Sequence, residues 1–365
     1  MTTVVGILWY LSVAMFVPSS INARCVANWV NAFDPQVDFQ EGISVVLYGN
    51  DSHMEINTRG FFEDLERRKL GVNTIMFTFP IFMDDLTSLV VYQDEELTPS
   101  VVNIKIFIEE GHRYCYTVIP KPIIDDGRLG GWRGRIRPGN NLDDQTALDA
   151  WFASYGELIM KYAQVSQSAG AGGLVIGTEL ISIDKDLPKY NQRWEALIER
   201  VRTVYTGPVS YSMNWNPQTL PGFVSSLDVL MVDAYFPLSN LGDDASEEQI
   251  FNAWYHWHGL LQSWQEMLDM PIVFSEVGMP PRTGGYRAPW ENDPQLKVDF
   301  EAQARYYAAT CRYVRASGVD GLYWWAVGFY DHMQNQYQRY LDDGIITHNF
   351  YDLPAEEALR QCYMG

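Results

Sequence analysis

The sequence predicts an α/β fold of one domain, a (β/α)8 TIM barrel, and three observations carry that prediction. From about residue 42, short β-branched and aromatic runs alternate with longer stretches of helical periodicity, the pattern of parallel βαβ units. Eight such units can be counted in the sequence, and right-handed crossovers close eight of them most readily as a barrel. No G-x-G-x-x-G follows the first strand, which weakens the rival, an open doubly wound sheet. At 365 residues the chain is long for one domain, yet α/β barrels reach this length as one unit.

The predicted strands are Ile43 to Tyr48, Val72 to Phe79, Tyr114 to Pro120, Gly173 to Gly177, Val209 to Met213, Val229 to Asp233, Ile272 to Ser275 and Gly321 to Trp325. Their near-continuous apolarity suits strands buried on both faces. Between them lie helices with apolar spacings of three and four. Examples are Phe62, Leu65 and Leu70, then Trp151, Tyr155, Leu158, Ile159 and Tyr162, then Trp194, Leu197, Ile198 and Val201. Each helix is expected to lead back to the next strand.

Composition narrows the partners. The hydrophobic share of 47% describes a chain able to bury a large core, and a net charge of −20 argues against nucleic acid or an anionic membrane. Aromatics reach 14%, including 12 Trp and 22 Tyr, and flat amphipathic rings are what a sugar-binding cleft sets against C–H faces. Val4 to Val17 is apolar and uncharged, too short to span a membrane but right for a secretory h-region. Residues 1–23 are therefore expected to be a signal peptide and 24–365 the barrel, in a secreted or cell-surface monomer without a cofactor. Cys25, Cys115, Cys311 and Cys362 have no C-x-x-C spacing, which disfavours a metal site. A Cys311–Cys362 disulfide between the last two helices fits an oxidising compartment, and Cys115 is expected to be a core thiol within a strand. His256 and His258, spaced i, i+2, do not share a helix face and so suggest no zinc site.

In barrels the reacting groups stand at the carboxyl ends of strands. Glu179 closes strand four in Leu174-Val175-Ile176-Gly177-Thr178-Glu179, and Glu276 closes strand seven in Ile272-Val273-Phe274-Ser275-Glu276. An acid ending an apolar strand is costly unless paired or used. One such residue would suggest a salt bridge as readily as catalysis, whereas two at these positions point to chemistry. Cleaving a glycosidic bond needs such a pair, one carboxyl protonating the leaving oxygen while the other attacks the anomeric carbon. No G-x-S-x-G elbow and no P-loop is present, leaving lipases and nucleotide hydrolases without support.

Further segments make the pattern specific: Gly42-Ile43-Ser44, Thr98-Pro99-Ser100, Lys121-Pro122, Gly131-Trp132-Arg133-Gly134, Ser210-Tyr211-Ser212-Met213-Asn214-Trp215 and Val232-Asp233-Ala234-Tyr235-Phe236-Pro237. Together with the two glutamate segments they resemble clan A glycoside hydrolases, and most closely glycoside hydrolase family 113. That resemblance implies a retaining β-mannanase with Glu179 as acid/base and Glu276 as nucleophile, acting on a β-linked polysaccharide. It also implies that the Tyr235 hydroxyl holds Glu276. Two positions depart from the family pattern as it is usually met: Thr178 stands where many clan A enzymes carry Asn, and Ile123 where relatives carry His after Lys-Pro. Another β-glycan (a glucan, a chitosan or a wall polymer) and a non-catalytic carbohydrate-binding barrel are the alternatives.

Position suggests the remaining substrate contacts. Asn214 and Trp215 end strand five, offering an amide and a stacking face, and Lys121, Trp132 and Arg133 do likewise beyond strand three, Arg133 equally well as part of an ion pair. The resemblance implies that Thr178 stands near a sugar hydroxyl. Trp324 and Trp325 end strand eight, and alternation lets only one face the mouth. Asp125 and Asp126 read as exposed loop acids, and Asp233 as a residue orienting a neighbour.

Overall fold

A computed structural model describes residues 39–365 apart from Gln218. The expected signal peptide and Cys25 lie outside the described residues. The strands are β1 (Gln40–Val46), β2 (Thr74–Ile81), β3 (Thr117–Ile124), β4 (Leu174–Thr178), β5 (Val209–Asn214), β6 (Val229–Asp233), β7 (Ile272–Val277) and β8 (Gly321–Gly328). The longer helices are α1 (Met54–Arg68), α2 (Val101–Arg113), α3 (Gln145–Ala169), α4 (Pro188–Arg202), α5 (Glu247–Met267), α6 (Phe300–Ser317), α7 (Gln336–Asp343) and α8 (Pro354–Met364). All strand pairs are parallel, in the order β3-β2-β1-β8-β7-β6-β5-β4, which is the TIM barrel.

The barrel has one seam, between β3 and β4, and the sequence explains it. Thr117 N–H donates to Asn73 O on the β2 side, so the even-numbered residues of β3 face β4. Two of these are Pro120 and Pro122, which have no N–H to give. The seam is bridged by Gly172 N–H donating to Val118 O at 3.0 Å.

One connection departs from the expected pattern. Between β5 and β6 the chain makes only a 3-10 turn, Gly222–Ser226, because the intervening residues are few and carry Pro217, Pro221 and Gly222. Strand β3 also begins later than expected, since Tyr114 and Cys115 form a turn in which Cys115 takes φ +70°. Cys115 is therefore not a core thiol in a strand: it is partly exposed and disulfide-bonded. Cys311 on α6 and Cys362 on α8 form the expected disulfide, Cα–Cα 5.8 Å.

The core has two parts. Trp151, Tyr155, Tyr162 and Trp194 pack between the helices and the outer faces of the strands. Inside the barrel, Met76, Ile119, Val175, Val229, Met231, Val273 and Tyr323 form the lower layer. Gly42 is required there, because a Cβ would lie 2.2 Å from the Tyr323 ring. Above this layer the interior turns polar.

Candidate active site

Along the inward faces of the strands, one step above the apolar layer, come Ser44, Thr78, Lys121, Ser212, Asp233 and Ser275, all fully or nearly fully buried. Four of them, Lys121, Ser212, Asp233 and Ser275, form a connected floor. Ser212 Oγ donates to Ser275 Oγ at 2.9 Å, and Ser275 Oγ donates to Asp233 Oδ1 at 2.8 Å. Lys121 Nζ donates to Asp233 Oδ1 at 2.9 Å and to Glu276 Oε1 at 2.6 Å.

Both glutamates reach the cavity through irregular backbone. Simple alternation along β7 cannot send Val273, Ser275 and Glu276 all inward. The register between β6 and β7 shifts so that Asp233 pairs with Glu276, and this bulge re-aims the Glu276 side chain. Strand β4 shifts likewise between Val175 and Thr178, and Glu179 then adopts φ +52°, an uncommon conformation for a residue with a Cβ.

Glu179 and Glu276 line one cavity of about 530 Å³. Each is almost buried, 7% and 5% exposed, so each needs partners. Glu276 has Lys121 on Oε1 and the Tyr235 hydroxyl on Oε2 at 3.0 Å. Glu179 accepts from Asn214 Nδ2 on Oε1 at 2.6 Å. On Oε2 it accepts from Arg133 Nη1 at 3.0 Å and Trp132 Nε1 at 3.3 Å. Arg133 also donates through Nη2 to Asp126 Oδ2 at 2.9 Å and through Nε to Ile124 O at 2.9 Å.

Burial drives the charge states. It pushes the Asp233 carboxyl well above the usual range; Glu276 adds to the rise and Lys121 opposes it. For Lys121, burial works against the ammonium, but Asp233 and Glu276 outweigh it and the group ends above its ordinary value. Arg133 follows the same pattern, with burial opposed by Glu179 and then Asp126. Burial raises Tyr235 well above the usual tyrosine range, reinforced by Glu276, so its hydroxyl stays a donor.

Several expectations need correction. Lys121 does not face a substrate: it is fully buried beneath Glu276. Thr178 is 3% exposed and off the cavity wall, its Oγ1 unpartnered within the protein, because the β4 bulge passes the aimed position to Glu179. Trp324 points outward and stacks on Tyr307 at 3.9 Å between ring centroids, whereas Trp325 lines the cavity. Asp126 is not a free loop acid: it is partly buried, lines the cavity and holds Arg133 through both its backbone N–H and its guanidinium. Asp125, also partly buried, accepts from the Tyr48 hydroxyl at 2.5 Å.

Trp132, Arg133, Asn214, Trp215, Tyr235 and Trp325 line the cavity, and so does Ile123. Sequence reasoning missed Trp290 and His348. Trp290 comes from the loop after β7 and stacks against Trp215, centroids 5.7 Å apart and planes 15° apart. His348 arrives from the segment before α8 and meets Tyr235 in a T-shaped contact, ring centroids 6.2 Å apart. Neither lies in a periodic stretch, so nothing in the local pattern marks them. A second cavity, about 590 Å³, continues past Trp132, Asn214 and Asn216 and is lined further by Asp184, Lys185 and Asp186. Among the described residues, no group of His, Cys, Asp and Glu is placed to hold a metal.

The profile of Glycoside Hydrolase Family 113 matches residues 53–344. No curated protein matches the sequence. A solved complex of a GH113 β-1,4-mannanase is similar at 20% identity and TM-score 0.77, covering 90% of this chain and 100% of that one. The GH113 β-mannanase of Alicyclobacillus acidocaldarius is 23% identical with TM-score 0.75, covering 90% and 98%. The endo-β-1,4-mannanase of Thermotoga petrophila is more distant, 12% identical with TM-score 0.58, covering 90% and 77%. At these identities the likenesses establish the barrel.

Proposed function

The chain belongs to glycoside hydrolase family 113, and from this premise we propose that it is an exported, retaining endo-β-mannanase. One observation carries the reading: two nearly buried glutamates face a single cavity with different partners, Glu276 on Lys121 and Tyr235, Glu179 on Arg133, Trp132 and Asn214.

In this mechanism Glu276 attacks the anomeric carbon while Glu179 protonates the departing oxygen. Glu179, now ionised, then takes a proton from water as that water cleaves the glycosyl ester. Tyr235 holds the attacking carboxylate in line. Trp325 and the Trp215–Trp290 pair offer ring faces to sugars. Mannan is the first substrate proposed because the solved GH113 enzymes similar to this chain are β-mannanases. Another β-glycan is the second reading, favoured by Ile123, which puts an aliphatic side chain on the cavity wall. Export is supported by the Cys311–Cys362 disulfide and by the disulfide-bonded Cys115.

The test is hydrolysis across a panel of mannan, glucan, chitosan and wall polymers, with product lengths and the anomer first released read by NMR. Internal cuts in mannan releasing β-anomers first are expected. An α-anomer first would overturn double displacement, and cleavage of a different polymer alone would move the reading to that sugar.

A further inference from the structure

The charges at the site form a repeated pattern that the two-glutamate scheme leaves unexplained. Lys121 Nζ lies 2.6 Å from Glu276 and 2.9 Å from Asp233. Arg133 lies 3.0 Å from Glu179 and 2.9 Å from Asp126. Each buried cation thus holds one reacting glutamate and one aspartate with no assigned part in the reaction.

The reaction moves charge between these two groups. As the first step is proposed above, the C–O bond to Glu276 forms, the glycosidic bond breaks, and the Glu179 proton goes to the departing oxygen. Glu276 begins as an anion and ends as a neutral ester, while Glu179 begins neutral and ends as an anion. One negative charge has crossed from the Lys121 side to the Arg133 side, and the second step returns it. A buried cation left alone on either side would be costly. Lys121 is fully buried and Arg133 is 14% exposed in its side chain, so water offers little relief.

We infer that Asp233 and Asp126 are positioning residues, standing counter-ions that keep Lys121 and Arg133 paired while the reacting charge moves from Glu276 to Glu179 and back. The inference rests on the double-displacement reading. Burial pushes both aspartate carboxyls up, and each serves as an anion because its cation, 2.9 Å away, opposes that rise. Ser275, itself held by Ser212, donates to Asp233, and the Arg133 backbone N–H donates to Asp126 at 2.8 Å. The other charged or titratable groups facing the two glutamates are Tyr235 beyond β6 and His348 against it, and Asp184 on the wall of the second cavity senses the charge of Glu179. Strands β1, β2 and β8 contribute Ser44, Thr78 and Trp325, none of which carries charge.

The experiment compares pH–rate profiles of wild type, Asp233→Asn and Asp126→Asn, each checked for folding by thermal melting. With Asp233 neutral, Lys121 serves Glu276 alone, the ionised nucleophile is favoured, and the acid limb of kcat/KM moves to lower pH by about one unit. With Asp126 neutral, Arg133 serves Glu179 alone, its ionised form is favoured, and the alkaline limb moves to lower pH by about one unit. The Asp126→Asn defect should shrink on aryl glycosides with good leaving groups, which need no acid, and the Asp233→Asn defect should persist. If either variant fails to fold, Lys121→Gln or Arg133→Gln replaces it and should move the same limb to higher pH. Folded variants whose limbs coincide with wild type overturn the inference. A wild type that cleaves no β-glycan and no aryl β-glycoside overturns the functional reading instead.

Discussion

The Tyr235 hydroxyl donates to Glu276 Oε2 at 3.0 Å while Lys121 occupies Oε1, so the carboxylate plane is fixed from two sides. A hydrogen bond to a charged acceptor contributes about 1.5–3 kcal/mol, so Tyr235→Phe should lower kcat by roughly 10- to 100-fold. KM should change little, because the bond is made to the enzyme and not to the sugar. Burial and Glu276 keep the tyrosine protonated, so its own ionisation should not shape the pH profile of the wild type. Steady-state kinetics of the variant check this; a rise in KM with kcat unchanged would count against the role.

The two glutamates should fail differently. Glu276→Ala removes the group proposed to form the glycosyl ester and should abolish turnover on every substrate. Glu179→Ala should lose polysaccharide cleavage yet keep the first step on dinitrophenyl glycosides, where the leaving group departs unaided. A burst of dinitrophenol from Glu179→Ala and none from Glu276→Ala is the expected result. The opposite pattern would exchange the two assignments.

The barrel and the placement of two glutamates at its mouth were legible because both follow from pattern: apolar strands of even spacing, and acids at strand ends where an apolar neighbour makes them conspicuous. The aim of side chains was not, because it depends on bulges. Strict alternation would put only one of Ser275 and Glu276 inside, yet both enter. Thr178 failed as a site residue for the same reason, since the β4 shift and the φ of Glu179 pass its place to the next residue. Choosing Trp325 over Trp324 needed the neighbours, namely Tyr307 outside and the cavity inside. Asp126 looked exposed because its partner, Arg133, sits in the following loop and reaches back only in three dimensions. His348 and Trp290 come from long connections whose path no local rule predicts.

Trp290 is 47% exposed yet stacked on Trp215, which suits a ring that waits for a sugar. Trp290→Ala should cost about 1 kcal/mol of polysaccharide binding and raise KM about fivefold with kcat unchanged. Small aryl glycosides should not sense the change. Equal losses on both substrate types would mean that Trp290 supports the fold and does not bind the glycan.

The Cys311–Cys362 bond closes a separation of 51 residues and ties α8 to α6. That helix also carries Tyr363, whose hydroxyl lies within donating distance of two carbonyls, Gly42 O at 2.8 Å and Leu322 O at 2.6 Å, near the start of β1 and β8. Replacing both cysteines by serine should lower stability by about 2–4 kcal/mol. Denaturant unfolding of the variant beside wild type measures it, and activity at low temperature should survive because α8 stands away from the cavity lining.

Asp184 gives a pH-dependent stability whose sign is fixed by its surroundings. It is nearly buried beside the second cavity, and burial pushes its carboxyl up to about 6; the Tyr211 hydroxyl, donating at 2.8 Å, opposes the rise and Glu179 adds to it. Because the folded value lies above the ordinary 3.8, the native state holds this proton more tightly than the unfolded chain. The stabilisation is fully present at low pH and is lost as pH rises through about 6. A shift of that size corresponds to at most about 3 kcal/mol. Asp184→Asn keeps an acceptor for Tyr211 but cannot ionise, so it should match wild type near pH 4 and exceed its stability near pH 8 by up to about 3 kcal/mol. Denaturant midpoints at the two pH values decide it. A difference between variant and wild type that is the same at both would show that Asp184 does not titrate in this range.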